Sequence, residues 1–333
     1  MDGARSPMSL AKDTLTWLGG NPGDGWYEMS IRIVKLINRD CANLTVQLIA
    51  GGGRSNVEKI QSGEADIGLS IDVVASAARN GGAPFAEPML AINCIGTGWS
   101  ALPYNLLGGA RGPCDLNAAL RQDGLRFGAP QEDTTDELVF RRVLAFCGTS
   151  YRDIAGRGGQ VMLDGYDALV SALGEGRIDY VFGATTLPAQ SIARAETASG
   201  LRLLRLPENV IAHLANDWGH SSGVIPSSIY PRLCQDGIAT SFVQTVILTS
   251  VDVPESHVYF ITKTLLQRRE ELHGIHESVT QFNPRVAWRN VPVPMHRGRH
   301  ARIVTSGLWI DGRRASGVQP YFEIRQWELF ADG

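Results

Sequence analysis

Gly23-Asp24-Gly25-Trp26-Tyr27-Glu28 closes a Gly/Pro turn just before a long amphipathic stretch, where a nucleotide-binding chain keeps its phosphate loop. A dinucleotide fingerprint needs the third glycine of GxGxxG, which is missing here. A P-loop needs a lysine after its last glycine, and Trp26 stands there instead; Asp24 would also repel phosphate. The loop therefore projects two aromatic side chains, Trp26 and Tyr27, near a helix start. They either pack a hinge or wall a ligand cleft, and the Tyr27 hydroxyl can fix a ligand's orientation. The five cysteines (Cys41, Cys94, Cys114, Cys147, Cys234) form no CxxC and read as small core residues. Their odd count argues against a fully paired disulfide framework and leans toward a reducing compartment. The seven histidines form no HExxH and no paired Cys/His spacing, so neither a metal nor a cofactor is expected. His213, His220 and His257 stand isolated and read as surface or satisfied core residues, and no Ser/His/Asp arrangement is readable from spacing.

The elements that must position any site follow a repeated grammar. Residues 15–18 read as a strand and 19–25 as a turn. The next helix carries Met29, Ile33, Leu36 and Ile37 on one face. Residues 44–50 read as a second strand and 51–53 as a glycine loop. Ser55 and Glu58 fit a capping box, Gly63 ends that helix, and 67–70 is a third strand. The order β-α-β-α-β implies a parallel sheet with helices on its faces. It returns later: 125–129 is a strand, Thr134 and Glu137 form another capping box, and Val139, Val143, Leu144 and Phe146 make an apolar helix face. Residues 160–163 form a strand, 166–173 a helix and 178–182 a strand. The joints GEADIGLS (63–70) and GRIDYVFG (176–183) share Gly-x-x-Asp before a buried strand. Two similar lobes are expected, with ligand-binding loops at the carboxyl ends of their strands and helix N-termini that favour anions.

The 333 residues suit two lobes, with 44% apolar and 20% charged residues and a formal charge of -3. That balance and the lack of a nucleic-acid-reading motif argue against DNA or RNA partners. Every apolar run stops well short of the roughly 18 residues of a membrane helix, so no membrane insertion is expected. The opening MDGARSPMSLAKDTLTWLGG lacks a signal peptide's apolar core and cleavage site. The chain is thus either cytoplasmic or written from downstream of a removed leader.

The ordered motifs resemble the TAXI family, the substrate-binding subunits of one class of TRAP transporters. That family has a TG-x-PGGTYYP-like loop and a helix ending in KLIN; here GGNPGDGWYEM leads to KLINRD (35–40). Its GGS-x-x-N loop and SGEADLA match GGGRSNVEKIQSGEADIGLS (51–70). Its VGAPGSGTE matches FGAPQEDTTDE (127–137), and LKDGKIDAFF matches ALGEGRIDYVFGATTLPAQSI (172–192). IPAGTYP and LPIPLHPGA match IPSSIYP (225–231) and VPVPMHRGRHARI (291–303). The resemblance covers about residues 14–303.

It implies an α/β, type II periplasmic binding protein-like fold that closes on a glutamate- or glutamine-like carboxylate or amino acid and hands it to a TRAP-type membrane permease. It also implies an extracytoplasmic location and no catalysis. Lobe I would span 14–98 plus 240–310, lobe II 99–239, and 311–333 would form a tail whose aromatic stretch 317–330 packs on the lobes or meets a partner. Residues 1–13 are expected to be unstructured. By resemblance Trp26 and Tyr27 face the ligand, with Tyr27 favoured, and Gly53, Ser55 and Asn56 form the glycine loop. Ser70 and Asp72 lie at the lobe edge; Asp72 either receives an ammonium group or caps the next helix. Thr134 and Thr135 occupy a carboxylate-binding turn, but Glu132 and Asp133 replace neutral residues of the family and disfavour an anion. Thr185, Thr186 and Gln190 either bond a polar ligand or satisfy their turn. Residues 93–115 and 230–242 are the expected crossings between lobes, with Trp99 and Tyr104 within reach of the cleft. The competing expectation is a cytoplasmic enzyme or ligand sensor on the same fold, since fold alone does not fix function.

Overall fold

The computed structural model describes residues 14–298 apart from 23, 42, 98, 110–111, 197–199, 275–281, 283–286 and 288–289. The expected segments 1–13 and 311–333, and lobe I beyond 298, lie outside the described residues. The first half opens with β1 (Thr14–Leu18), α1 (Gly25–Asp40), β2 (Thr45–Ile49), α2 (Gly53–Ser62) and β3 (Ile67–Ile71). α3 (Asp72–Asn80), β4 (Ile92–Gly96), β5 (Ala101–Gly108) and the single turn α4 (Leu116–Ala119) follow. The grammar then repeats as β6 (Arg126–Ala129), α5 (Thr135–Phe146), α6 (Tyr151–Gly156), β7 (Gln160–Leu163), α7 (Tyr166–Gly174) and β8 (Tyr180–Ala184). The chain continues through α8 (Gln190–Ala195), β9 (Arg202–Leu204), α9 (Glu208–Trp218) and β10 (Ser221–Ile225). It then runs through β11 (Ile238–Ser250), α10 (Glu255–Gln267) and α11 (Arg269–His273).

The strand order is β2-β1-β3-β11-β5-β8-β6-β7, with β4 and β10 beside β11 and β9 beside β5. Each half holds a parallel triplet in the same order: β2-β1-β3 and β7-β6-β8. An antiparallel strand from the middle of the sheet flanks each triplet, β11 against β3 and β5 against β8. The repeated Gly-x-x-Asp has a structural cause. Asp66 Oδ2 accepts from the Thr16 backbone N–H at 2.7 Å, and Asp179 Oδ2 accepts from the Arg126 backbone N–H at 2.9 Å. Each aspartate thus pins the third strand of a triplet to the first. Gly63 and Gly176, three residues earlier, take left-handed φ of 78° and 70° at the turns.

Several local expectations are corrected. α2 begins at Gly53 with Gly52 as N-cap, because Ser55 Oγ donates to the Gly52 carbonyl at 2.9 Å instead of capping. Thr134 does cap α5, accepting from the Glu137 N–H, but the Glu137 carboxylate accepts from the Tyr151 hydroxyl rather than reaching back. Phe146 leaves the apolar face: it is 41% exposed and stacks on His213. Cys114 is exposed and so is not a core residue. Trp99 and Tyr104 are buried. Trp99 stacks on Phe282 and Tyr104 on Phe182, so neither ring walls the cleft. One apolar cluster packs Trp17, Met29, Ile33 and Val258 under the first triplet. Another runs across both halves, from Val57 and Ile71 to Phe127, Phe140 and Phe182. No helix among the described residues is long and apolar enough to cross a membrane.

Candidate functional site

The main cavity, about 280 Å³, opens where the loops after β1, β2, β6, β7 and β8 converge. These are the carboxyl ends of both parallel triplets, where open α/β sheets place ligands. The space is roughly that of nine waters, at the small end of ligand sites. Of the expected residues, Trp26, Gly53, Thr134, Thr135, Thr185, Thr186 and Gln190 line it.

Tyr27, Ser55, Asn56, Ser70 and Asp72 stand outside the lining, each for a visible reason. Tyr27 lies on α1 beyond Trp26, and its N–H is held by the capping Asp24. Ser55 is turned to the Gly52 carbonyl. Asn56 is fully buried: its amide donates to Gly19 O at 2.9 Å and Leu69 O at 2.8 Å, and its Oδ1 accepts from Gly52 N–H at 3.1 Å. Ser70 Oγ donates to Gly53 O, and Asp72 Oδ1 accepts from the Val73 and Gln244 N–H groups. Ser55, Asn56, Ser70 and Asp72 bond the backbone framework behind the cavity.

The cavity's charge is set by Asp24, which the sequence reading took only as repelling phosphate, and by Asp136, which it did not single out. Asp24 caps α1, accepting from Tyr27 N–H at 2.7 Å and Asn21 N–H at 2.6 Å. Gly20 leaves room for this carboxylate, since a Cβ there would collide with it. Asp136, in the first turn of α5, faces Tyr166 at the start of α7. Burial pushes the Asp24 carboxyl up to about 6, against backbone N–H bonds that lower it. Burial pushes Asp136 up to about 7, against the hydrogen bond from Tyr166. Glu28, Asp167 and Arg194 complete the charged lining. Arg194, the one guanidinium among the described lining residues, donates to Asp167 at 2.6 Å and is thus engaged. The sequence signal was available. Asp24 and Asp136 each stand at a helix start directly after a parallel strand, but an acid there also reads as an ordinary cap.

The two halves touch beside the cavity. Arg54 donates to Asp133 Oδ1 at 2.9 Å, from α2 to the turn before α5. Asp133 adopts φ 65°, a left-handed conformation that Asp tolerates. A side chain at Gly53 would collide with Thr135, so this glycine permits the close approach. Trp26 Nε1 donates to Thr245 Oγ1 at 3.2 Å and thereby ties its indole to β11. The isolated histidines lie elsewhere: His220 is buried beside Ser241 Oγ at 2.9 Å, His257 is buried, and His213 pairs with Asp217. Among the described residues no group of three or more His, Cys, Asp or Glu side chains could hold a metal.

The model of the NMT1-like family matches residues 18–301. The chain belongs to the NMT1-like family. No curated protein matches the chain. Among solved structures, MatC from Rhodopseudomonas palustris with bound malate is similar at 12% identity and a TM-score of 0.51, covering 89% of this chain and 96% of that one. A Xanthomonas citri protein bound to ATP is similar at 10% identity and a TM-score of 0.50, covering 89% and 97%. PhnD1 from Prochlorococcus marinus, in complex with methylphosphonate, is similar at 11% identity and a TM-score of 0.49, covering 79% and 88%. At these identities the likeness is one of fold: this NMT1-like protein shares the α/β architecture of the MatC and Xanthomonas structures.

Proposed function

We propose that this protein is a solute-binding protein that captures a small polar molecule in the cleft and presents it to a membrane transporter. The observation that carries this reading is the place of the cavity, between two matching parallel triplets at their carboxyl ends. The malate in the similar Rhodopseudomonas structure lends support from a neighbour of the same fold. The lobe boundaries belong to the same proposal: 14–98 plus 240–310, and 99–239. They are supported by β5 and β11, which pair with each other and with one triplet each. Trp26, Gly53, Thr134, Thr135, Thr185, Thr186 and Gln190 would contact the solute. The motif resemblance supports a TRAP-type permease as partner, an extracytoplasmic setting and an amino-acid-sized ligand.

Asp136 favours one second reading. A cleft carboxyl pushed up to about 7 suits a general acid, the requirement of an enzyme on this fold. A thermal-shift panel of small acids, amino acids and amides on refolded protein tests both. A ligand at about 100 times its dissociation constant adds roughly 2.7 kcal/mol, a rise of a few degrees for a chain of this size. A clear rise without turnover supports the binding protein; turnover of the stabilising compound would replace it with the enzyme.

A further inference from the structure

We infer that the cleft takes a small organic cation, whose charged nitrogen binds between Asp24 and Asp136 in exchange for a proton held by Asp136. This rests on the solute-binding reading and names the ligand's charge.

The first argument is the lining. Asp24, Glu28, Asp136 and Asp167 face the cavity, and Arg194, the only cation lining it among the described residues, is bonded to Asp167. Two of the helix N-termini at the cavity, those of α1 and α5, are occupied by the protein's own acids, while those of α2 and α8 carry none. Asp24 caps α1, and Asp136 and Glu137 stand in the first turn of α5. An anionic ligand would meet like charge, whereas a cation would relieve it. Trp26, held by Thr245, adds an aromatic wall of the kind that favours cations.

The second argument is a count of hydrogens. The Tyr166 hydroxyl oxygen lies 2.5 Å from Asp136 Oδ2 and 2.6 Å from the Ala184 carbonyl oxygen. A carbonyl only accepts, and a tyrosine hydroxyl has one hydrogen. When that hydrogen goes to Ala184, the short contact to Asp136 requires a proton on the carboxyl, which then donates to Tyr166. A Cβ at Gly183 would collide with this hydroxyl, so the glycine makes the arrangement possible. Burial acts in the same direction by favouring the neutral acid. The other groups acting on Asp136 are the Ala184 backbone on β8, Asp24 at α1 and Tyr104 on β5. The Tyr104 side chain is 1% exposed, and its hydroxyl faces Asp136 without a well-formed hydrogen bond. Arg142 and Asp72 act on Tyr104 in turn. When a cation arrives, the Asp136 O–H bond breaks, the proton leaves to solvent, and the carboxylate pairs with the ligand nitrogen. The exchange leaves the net charge of the cleft unchanged and trades a buried proton for an ion pair.

The test is a three-arm thermal-shift and calorimetry panel. Putrescine, agmatine and tyramine form the cationic arm, succinate, malate and glutamate the anionic arm, and succinamide and glycerol the neutral arm. The expected result is a Tm rise with a member of the cationic arm and an affinity that climbs with pH, most steeply below about pH 6 where both carboxyls titrate, and levels above about pH 7. Calorimetry at pH 6 in two buffers of different ionisation enthalpy should show more than one proton released, because Asp24, pushed up to about 6, is then partly protonated as well. Asp136→Asn should remove the larger part of the proton release and confine the pH slope to below about pH 6, where Asp24 titrates, and Asp24→Asn should weaken binding while keeping a release of close to one proton at pH 6. The pH series on the unaltered protein needs neither variant to fold. Stabilisation confined to the anionic or neutral arm overturns the cation assignment and leaves the binding-protein reading standing. Cation binding with no pH slope and no proton release overturns the exchange. Turnover of any panel compound, read by mass spectrometry, overturns the binding-protein reading instead.

Discussion

Asn56 serves the fold with all of its hydrogen-bonding groups: it joins the loops after β1 and β2 to β3 from a fully buried position. Asn56→Ala should lower stability by about 3 kcal/mol, because the Gly52 N–H and two carbonyls lose their partner. Urea unfolding measures this, and an unchanged midpoint would return Asn56 to the list of ligand contacts. Asp136 gives a pH-dependent prediction for the unliganded protein. Its folded pKa lies above the unfolded value of 3.8, so its stabilising contribution is complete below 3.8 and lost as pH rises through about 7. Asp24 acts with the same sign over 3.8 to about 6. His220, depressed by burial to about 3, acts with the opposite sign: its contribution is present above 6.5 and lost as pH falls through 3. Asp136→Asn should therefore melt above the parent at pH 8, with the gap closing by pH 5. A gap that widens toward pH 5 would contradict the buried neutral acid. At this scale the sequence was only partly legible. Residue types marked Trp26 and the threonines, yet Asn56 and Ser70 have the same polar appearance and are spent on backbone. Asp24 read only as an acid that repels phosphate and Asp136 was not singled out, since burial and facing hydroxyls are products of the tertiary structure.

The joint between helix and third strand is the element that makes the two halves alike. Asp66 accepts from both the backbone and the hydroxyl of Thr16, at 2.7 and 2.9 Å. Asp179 accepts from the Arg126 backbone and also receives its guanidinium. Asp66→Ala should cost about 1–3 kcal/mol by leaving the Thr16 N–H unpaired at the start of β1. Hydrogen exchange should report the loss first in β1, and an unaffected β1 would remove the pinning role. These triplets were readable because period, glycine stops and the Gly-x-x-Asp repeat are local signals. β11 was not. Its residues 238–250 are buried along almost their whole length, so they lack the alternation that marks a half-exposed strand. Of its partners only β10 is its neighbour in sequence; β3, β4 and β5 come from distant parts of the chain, and no local rule specifies antiparallel closure of a parallel triplet.

Across the whole molecule, the halves meet through Arg54 and Asp133 on one side of the cavity and share a continuous core on the other. The Arg54 side chain is 25% exposed and that of Asp133 66%, so the pair is screened and contributes at most about 1 kcal/mol. Arg54→Ala should weaken the affinity of a stabilising ligand by no more than about fivefold and make it less sensitive to salt. Calorimetry at 0.05 and 0.5 M salt checks this; an unchanged salt dependence would show that the contact plays no part in closure. The repeated parallel triplet was legible from repetition, but the contact between the two halves was not, because Arg54 and Asp133 lie 79 residues apart. The position of β11 also bears on how the protein is made. During synthesis from the amino terminus, both triplets leave the ribosome before residues 238–250 exist, and the open edge of β3 waits for a partner throughout that interval. A nascent chain halted after β8 therefore carries all the strands of both triplets but an uncovered sheet edge, and it is at this stage of biogenesis that a chaperone has a surface to hold.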